Sequence, residues 1–322
     1  SIRRRMNAIS VNNLTRDYGT LRAVDHISFE VEAGEFFGFL GPNGAGKTTT
    51  IRMLTGLSEP SEGTASIMGC DITRDAFYAK EHFGIVPEVS NIYEDLSAWN
   101  NLMFAGELYG LSQPERTRRA RELLEIFDLT GFRDKKAQGF SKGMRRKLTL
   151  AMALIHEPEI LFLDEPTSGL DVQSSLLLKE ILSRLNREGT TIFLTTHMLE
   201  EANTLCNRVA IIVKGRLAAV DAPEKLKKTI QTTQSVEVSL DSMTSQVTAD
   251  LAIIKTVTSS RHEGDKLRLF TPDPAVVATA IFEYAQAHHL KIISINTVGP
   301  SLEDAFLSIV QRQGDNRTEG RP

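Results

Sequence analysis

The chain has 322 residues, a length that suggests two domains of about 150 residues each and excludes one small disulfide-bonded module. Lys and Arg total 37 against 41 Asp and Glu, so the net charge of -4 gives no basic bias towards nucleic acid or anionic lipid. No apolar run approaches the roughly 18 residues of a membrane span, and two cysteines are typical of a reducing compartment. We therefore expect a cytoplasmic protein whose association with a membrane, if any, is peripheral.

The first two thirds of the chain alternate strand patterns with helix patterns. Polar and apolar residues alternate over 23–35, which indicates an antiparallel strand at a sheet edge. Short apolar runs, typical of strands that are covered on both faces of a parallel sheet, follow at 36–40, 160–163 and 191–195. Between them, helical patterns at 96–109 and 114–129 predict an inserted helical subdomain over about residues 90–157.

A composition change marks the domain boundary. A hairpin-like segment at 213–217 and a short helical pattern at 223–228 are followed by a polar, featureless stretch at 229–234. We predict a first domain over 1–228, a linker over 229–234, a second domain over 235–312 and a disordered tail over 313–322.

The second domain has an α+β pattern. Strand and helix patterns follow one another in the order β-α-β-β-α-β, with segments near 236–240, 242–251, 253–258, 266–270, 273–285 and 291–297. This order predicts a ferredoxin-like fold. A last amphipathic helix carries its apolar residues on one stripe, at Leu302, Ala305, Phe306, Ile309 and Val310.

A glycine-rich motif directly follows the apolar run 36–40. Residues 41–48, GPNGAGKT, match G-x-x-x-x-G-K-[ST] and precede a helical pattern. In such a loop the backbone N–H groups surround a phosphate, Lys47 reaches the terminal phosphates and Thr48 ligates magnesium. A plain glycine-rich turn is the alternative. The predicted nucleotide-binding residues here are Asn43, Gly44, Ala45, Gly46, Lys47, Thr48 and Thr49.

Two consecutive acids end the apolar run 160–163. Asp164 can hold magnesium, and Glu165 can orient the attacking water. Alone, such a pair is more often a helix cap or a solvated turn. The phosphate loop upstream favours the catalytic interpretation.

With these motifs in this order, the sequence resembles the nucleotide-binding subunits of ABC transporters over about residues 7–220. FSKGM at 140–144 stands where the family signature Leu-Ser-Gly-Gly-Gln is expected, and SGLD at 168–171 matches the D-loop. His197 matches the switch histidine, and Tyr18 lies where the family stacks an aromatic ring on adenine. The resemblance implies a P-loop NTPase fold, with a RecA-like core, an antiparallel β subdomain and an inserted helical subdomain.

The signature segment also has a physical rationale. Ser141 precedes a helical pattern, so its hydroxyl and the neighbouring N–H groups form a second anion-binding helix end, although a plain N-cap is the alternative. The resemblance assigns Ser141, Gly143 and Asp171 to nucleotide binding, and His197 to the γ-phosphate rather than to an ordinary polar role. It implies that only a head-to-tail pair of identical chains brings signature and phosphate loop around each ATP.

Two motifs depart from the family pattern. Lys142 and Met144 replace Gly and Gln of the signature, and Glu88 stands where the family has a Gln that contacts magnesium. A carboxylate remains an oxygen donor but adds negative charge beside the polyphosphate. The predicted magnesium ligands are Thr48, Glu88 and Asp164, and we expect a stronger dependence on magnesium than a glutamine would give.

The motifs predict ATP hydrolysis with ATP and Mg²⁺ as cofactors, and the resemblance implies that it powers separate integral membrane permease subunits. The resemblance is greatest to the drug, antibiotic and polysaccharide exporter branch, so we expect export from a peripheral position on the cytoplasmic membrane face. We expect no nucleic acid partner, and a second domain that supports dimerisation or regulation. The alternative is a soluble ABC-type ATPase that acts on ribosomes or DNA; a P-loop GTPase or kinase is a weaker one.

Overall fold

The computed structural model describes residues 6–229 and 234–315, which form two compact units divided between Pro223 and Glu224. This division falls after the first residue of the short helix at 223–228, whereas the sequence pattern placed the boundary after that helix. Of the predicted linker 229–234, residues 230–233 lie outside the described residues and Gln234 begins a strand. Each unit is considered by itself below.

The first unit begins with an antiparallel sheet. Its strands are β1 (Asn7–Tyr18), β2 (Leu21–Glu32), β4 (Glu62–Ile67) and β5 (Cys70–Asp71), in the order β2-β1-β4-β5. The sequence analysis predicted the second of these strands but missed β1. Irregular pairing between Val11 and Leu14, where Asn13 has a φ of 48°, interrupts the period-2 alternation by which a strand is recognised.

A six-stranded sheet forms the centre of the first unit. Its strands are β3 (Phe36–Leu40), β6 (Phe83–Val86), β7 (Ile160–Asp164), β8 (Thr191–Thr196), β9 (Arg208–Val213) and β10 (Arg216–Asp221). The order is β10-β9-β3-β8-β7-β6, parallel except for the edge strand β10. Every residue of β3, β7 and β8 is buried, which confirms the prediction of strands covered on both faces.

Phenylalanine rings fill the space between the two sheets. The Phe29 ring on β2 stacks on Phe37 of β3 at a centroid distance of 5.6 Å, and Phe193 of β8 lies 5.8 Å from Phe37. Each buried ring contributes roughly 1.5–3 kcal/mol through the area removed from water. This core holds the carboxyl ends of β3 and β8 in place, where the loops described below begin.

Helices complete the first unit. They are α1 (Lys47–Leu54), α2 (Ala76–Glu81), α3 (Ala98–Leu108), α4 (Gln113–Ile126), α5 (Lys142–Ala153), α6 (Val172–Arg187) and α7 (Leu199–Leu205), and α8 (Pro223–Lys228) lies at the division between the units. The helices α3 and α4 confirm the two helical patterns predicted there. Together with α5 they lie between β6 and β7 along the chain. In the described part of the chain, no helix combines the length and apolar character that a membrane crossing needs.

The second unit has the predicted order of elements. Its strands β11 (Gln234–Leu240), β12 (Ser259–Glu263), β13 (Lys266–Thr271) and β14 (Ile292–Val298) form an antiparallel sheet in the order β12-β13-β11-β14. The helices α9 (Ser245–Ala252) and α10 (Pro274–Ala287) contribute apolar side chains to one core with this sheet. A final helix, α11, spans Leu302–Asp315.

Two predictions for the second unit need correction. The strand predicted at 253–258 is wrong: Ile253 is 82% exposed, Thr256 has a φ of 78°, and the strand begins at Ser259. Apolar side chains that end α9 and enter the following turn imitate a strand pattern. The last helix also continues to Asp315, past the predicted end of the second domain at 312 and into the tail predicted to be disordered. Residues 316–322 of that tail lie outside the described part.

Candidate functional site

The glycine-rich loop lies between β3 and α1. Gly44 and Gly46 have φ values of 77° and 111°, in the left-handed region that glycine adopts without penalty. A Cβ at Gly46 would also lie 2.7 Å from the Ala23 carbonyl oxygen. Gly46 is the N-cap of α1 and supplies no side chain to it, so the first-turn N–H groups of this helix can bind an anion.

Lys47 is the first residue of α1 and is buried. Its Nζ donates a hydrogen bond to the Gly41 carbonyl at 2.8 Å and lies 3.5 Å from Glu165 Oε1. The ammonium group is therefore held between the glycine-rich loop and the end of β7. An anion bound by the loop amides would meet this positive charge.

The two acids after β7 have separate environments. Asp164 is buried, and its Oδ1 accepts hydrogen bonds from the Thr195 hydroxyl and, at 3.4 Å, from Thr48 Oγ1. Glu165 has a φ of 47°, unusual for a residue with a side chain, and its N–H donates to the Thr195 carbonyl at 3.1 Å. Its Oε2 lies 2.8 Å from His197 Nδ1. The carboxylate of Glu165 is thus held between an ammonium and an imidazole.

Lys47, Glu165 and His197 line one cavity of about 590 Å³. Asp164 is buried and is not among its lining residues, but it is hydrogen-bonded to Thr48, which is. Its lining residues are Tyr18, Leu21, Ala23, Asn43, Gly44, Gly46, Lys47, Thr48, Thr49, Glu88, Glu165, Ser168 and His197. Of the predicted loop residues, Ala45 is instead buried beneath the loop. Sequence reasoning missed Leu21, Ala23 and Ser168 as wall residues. The hairpin turn after Tyr18 could have indicated Leu21 and Ala23, and the SGLD motif, which begins at Ser168, could have indicated Ser168.

Tyr18 stands at the rim of this cavity. It is 43% exposed, and the Arg16 guanidinium lies 4.7 Å from the centre of its ring. A side-chain hydrogen bond with Ser58 lowers the pKa of Tyr18. Leu21 pairs with Tyr18 across the hairpin turn, so an aromatic and an aliphatic side chain offer a base-sized apolar surface at the rim.

Three predicted magnesium ligands lie in or next to this cavity. Thr48 Oγ1 and the Asp164 carboxylate are hydrogen-bonded to each other, and Glu88 lines the same cavity. Over residues 6–229 and 234–315, no group of three or more His, Cys, Asp or Glu side chains could hold a metal ion by itself. The donor set is hard oxygen, which fits magnesium when phosphate oxygens complete the coordination.

The remaining predicted residues lie outside this cavity. Ser141 caps α5 and accepts a hydrogen bond from the Met144 N–H at 3.2 Å. Asp171 caps α6, and hydrogen bonds from the backbone and then the hydroxyl of Ser174 lower its pKa. A Cβ added at Gly143 would lie 2.7 Å from Ser174 Oγ. The two predicted segments therefore pack on each other, and within the described residues none of Ser141, Gly143 and Asp171 lines the cavity.

Comparison with known proteins matches residues 24–168 to the family model described as ABC transporter. The chain is 36% identical over 312 residues to the linearmycin resistance ATP-binding protein LnrL of Bacillus subtilis, covering 94% of this chain and 98% of that protein. It is 38% identical over 307 residues to the Nod factor export ATP-binding protein I of Cupriavidus metallidurans, with 95% and 98% coverage. The daunorubicin/doxorubicin resistance ATP-binding protein DrrA of Streptomyces peucetius is 34% identical over 314 residues, with 97% and 94% coverage.

Solved structures resemble the larger part of the chain. The structure of an ATP binding subunit of an ABC transporter has a TM-score of 0.65 and 32% identity, and covers 70% of this chain and 93% of its own. A dimeric ATP-binding cassette in a post-hydrolysis state, bound to ADP and Pi, has a TM-score of 0.60 and 25% identity, with 66% and 98% coverage.

Proposed function

The chain is an ATPase of the ABC transporter ATP-binding family, and from this premise we propose that it hydrolyses MgATP to drive export through a separate membrane permease. The observation that carries the proposal is the meeting of Lys47, Glu165 and His197 around the glycine-rich loop in one cavity. The names of the relatives, which concern drug resistance and Nod factor export, support export over import.

The reaction follows from the charges in this cavity. The loop amides and Lys47 would bind the β- and γ-phosphates and stabilise the charge that develops on them. Glu165 would accept a proton from the attacking water, whose oxygen bonds to the γ-phosphorus while the bond to the bridging oxygen of ADP breaks. His197, 2.8 Å from Glu165, would hold this carboxylate in line and contact the γ-phosphate.

Thr48, Asp164 and Glu88 would hold Mg²⁺ at the other end of the polyphosphate. When bound, the ion neutralises charge on the β- and γ-oxygens. Tyr18 would stack on adenine, while Asn43, Gly44, Ala45, Gly46 and Thr49 complete the phosphate loop.

The separation of Ser141, Gly143 and Asp171 from the cavity supports a head-to-tail homodimer. In such a dimer the capped N-terminus of α5 would face the γ-phosphate of the ATP bound by the partner. ATP binding would then close the dimer, and hydrolysis would reopen it.

We further propose that the protein lies at the cytoplasmic face of the membrane through its permease subunits. The net charge of -4 and the names of the relatives favour this over an ATPase that acts on ribosomes or DNA. The role of the second unit in dimerisation or regulation stays a prediction.

A glutamine at position 165 tests the proposed reaction. The Glu165→Gln variant should bind ATP with near-wild-type affinity and lose turnover by about 100-fold or more, because an amide cannot accept the proton. It should also form a dimer with ATP that is stable to gel filtration. Glu159→Gln, a surface carboxylate paired with His82, is the matched control. Hydrolysis by Glu165→Gln at the wild-type rate would reject Glu165 as the general base.

A further inference from the structure

Arg146 in α5 is buried, with 2% of its surface exposed. Burying a guanidinium costs free energy unless its donors are satisfied. Here Nη1 donates to the carbonyl oxygen of Pro87, and Nη2 donates to that of Glu88 at 2.6 Å. The planar fork of one arginine thus bridges two successive carbonyl groups just after β6.

These two carbonyls belong to the peptide planes on either side of Glu88. The Pro87 carbonyl lies in the peptide bond before Glu88, and the Glu88 carbonyl lies in the one after it. Holding both planes restricts φ and ψ of Glu88, and these angles set the direction of its Cα–Cβ bond. Arg146 therefore sets the direction of a side chain that it does not itself hydrogen-bond.

Glu88 needs this restraint because its own side chain is held by little else. It is exposed and lines the nucleotide cavity with Lys47 and Thr48, and its carboxylate makes no hydrogen bond within the described residues. A long, exposed carboxylate samples several rotamers. Its backbone is what keeps it aimed at the cavity.

We propose that Arg146 is a positioning residue that aims Glu88 at the nucleotide's metal and thereby sets the magnesium dependence of nucleotide binding. The inference rests on the proposed function, in which Glu88 is a magnesium ligand. Since α5 also begins beside Ser141, a movement of this helix when the dimer closes would reach Glu88 through Arg146.

The positive charge of Arg146 gives a competing account. The guanidinium is close enough to interact with the carboxylates of Glu88 and Asp164. If charge alone mattered, removing it would strengthen magnesium binding, whereas loss of positioning weakens it. Arg146→Lys keeps the charge but lacks the planar fork, so it separates the two accounts.

The test measures binding of a fluorescent ATP analogue to the full chain across a magnesium titration. Arg146→Lys should raise the half-saturating magnesium concentration about 10-fold, the lower end of what losing a partner of a metal ligand costs. Glu88→Ala should raise it similarly, and the double variant should match Glu88→Ala alone. Arg145→Lys is the matched control, because Arg145 is the neighbouring arginine on α5 but bonds to the Phe140 and Gln138 carbonyls and to Glu94, not to the segment around Glu88. It should change the midpoint less than about 2-fold.

Three readings decide the proposal. An unchanged half-saturating magnesium concentration in Arg146→Lys would overturn it. The proposal would also fail if Arg146→Lys raised that concentration by the same factor in wild type and in Glu88→Ala, because the effect would then be a general structural one. Faster amide exchange at Glu88 and Val89 in Arg146→Lys would support it, since this readout needs neither nucleotide nor metal. If wild-type binding did not depend on magnesium, the metal role in the proposed function would fail instead.

Discussion

Glu165 shows how backbone geometry at one residue serves the site. Its φ of 47° costs on the order of 1 kcal/mol in a residue with a Cβ. The N–H bond to the Thr195 carbonyl on the adjacent strand offsets part of this cost. The turn directs Glu165 to Lys47 and His197, whereas Asp164, one residue earlier, points to Thr48. Adjacent acids thus face different partners, as the separate roles proposed for them require.

Glu88 gives the first residue-scale prediction. Its carboxylate adds negative charge to the cavity that would hold the polyphosphate. Without magnesium, Glu88→Gln should therefore bind an ATP analogue about 5-fold more tightly than wild type, from roughly 1 kcal/mol of relieved repulsion. At saturating magnesium, wild type and Glu88→Gln should bind the analogue with equal affinity.

The measurement is the affinity of a fluorescent ATP analogue at a series of magnesium concentrations. Glu81→Gln, an exposed glutamate at the end of α2, is the control. Identical titrations for wild type and Glu88→Gln would contradict the prediction.

His156 gives a prediction about pH. Its ring stacks on Tyr109 at 3.6 Å, its Nε2 lies 3.1 Å from the Phe83 carbonyl, and burial lowers its pKa to about 4. An unfolded histidine has a pKa of about 6.5. Protons therefore bind the unfolded chain first, and stability is lost as the pH falls from 6.5 towards 4.

Between pH 7 and pH 5, protonation of this histidine in the unfolded chain should lower the free energy of unfolding by about 2 kcal/mol. His156→Gln should remove that loss, although it also lowers stability at pH 7 by breaking the stack. Urea unfolding, followed by the fluorescence of Trp99 in the first unit, measures the free energy of unfolding at each pH. His262→Gln, an exposed histidine on β12, should keep the wild-type slope. Equal pH slopes for wild type and His156→Gln would refute the assignment.

At the scale of elements, α11 is attached to its sheet by charge as well as by apolar contact. Arg268 on β13 donates to Asp304 at 3.0 Å, and both side chains are buried, with 6% and 8% exposed. Asp304 also accepts the Ser301 N–H at the start of α11. The sequence pattern predicted the apolar stripe of this helix but not its ion pair, because the partners lie 36 positions apart.

Asp304→Asn should therefore weaken the packing of α11 on its sheet and increase its local unfolding. The asparagine oxygen can still accept the Ser301 N–H, so the substitution mainly removes charge. Arg268 keeps the partly exposed Glu263 at 3.4 Å but loses its buried partner, which costs up to about 3 kcal/mol. Amide exchange in α11 and β13 should accelerate about 100-fold. Glu303→Gln, at an exposed residue 3.8 Å from Arg261, should have little effect. Equal exchange rates in the two variants would argue against the ion pair as the anchor.

At the scale of the whole molecule, the phosphate loop and the signature segment do not meet in one cavity within the described part of the chain, and the proposed dimer would bring them together. Mixing two inactive variants tests whether they meet between chains. Lys47→Met disables the phosphate loop, and Ser141→Arg disables the signature. A head-to-tail dimer of one of each contains one site with both defects and one with neither.

The mixture should therefore regain ATPase activity, up to about a quarter of the wild-type rate if chains pair at random and each site acts alone. Each variant alone should stay near background, and mixing two preparations of Lys47→Met should restore nothing. No recovery in the mixture, with both variants folded, would count against a composite site.

Local sequence was sufficient where the pattern of an element runs unbroken along the chain. The motif 41–48 after a buried strand predicted the phosphate loop, and short apolar runs predicted β3, β7 and β8, because burial on both faces leaves a continuous pattern. Where the pattern is broken, as at the irregular pairing in β1 or the turn at 253–258, the local signal misled.

Tertiary structure alone decided what depends on residues distant in the chain. It brought Tyr18, Glu88 and His197 into one cavity with Lys47, and kept Ser141 outside it. It also placed Arg146 against the carbonyls that flank Glu88, a contact between a helix and a strand end 58 positions earlier. No period or motif encodes such a pairing, because a buried guanidinium finds its acceptors only once the packed elements have excluded water from it.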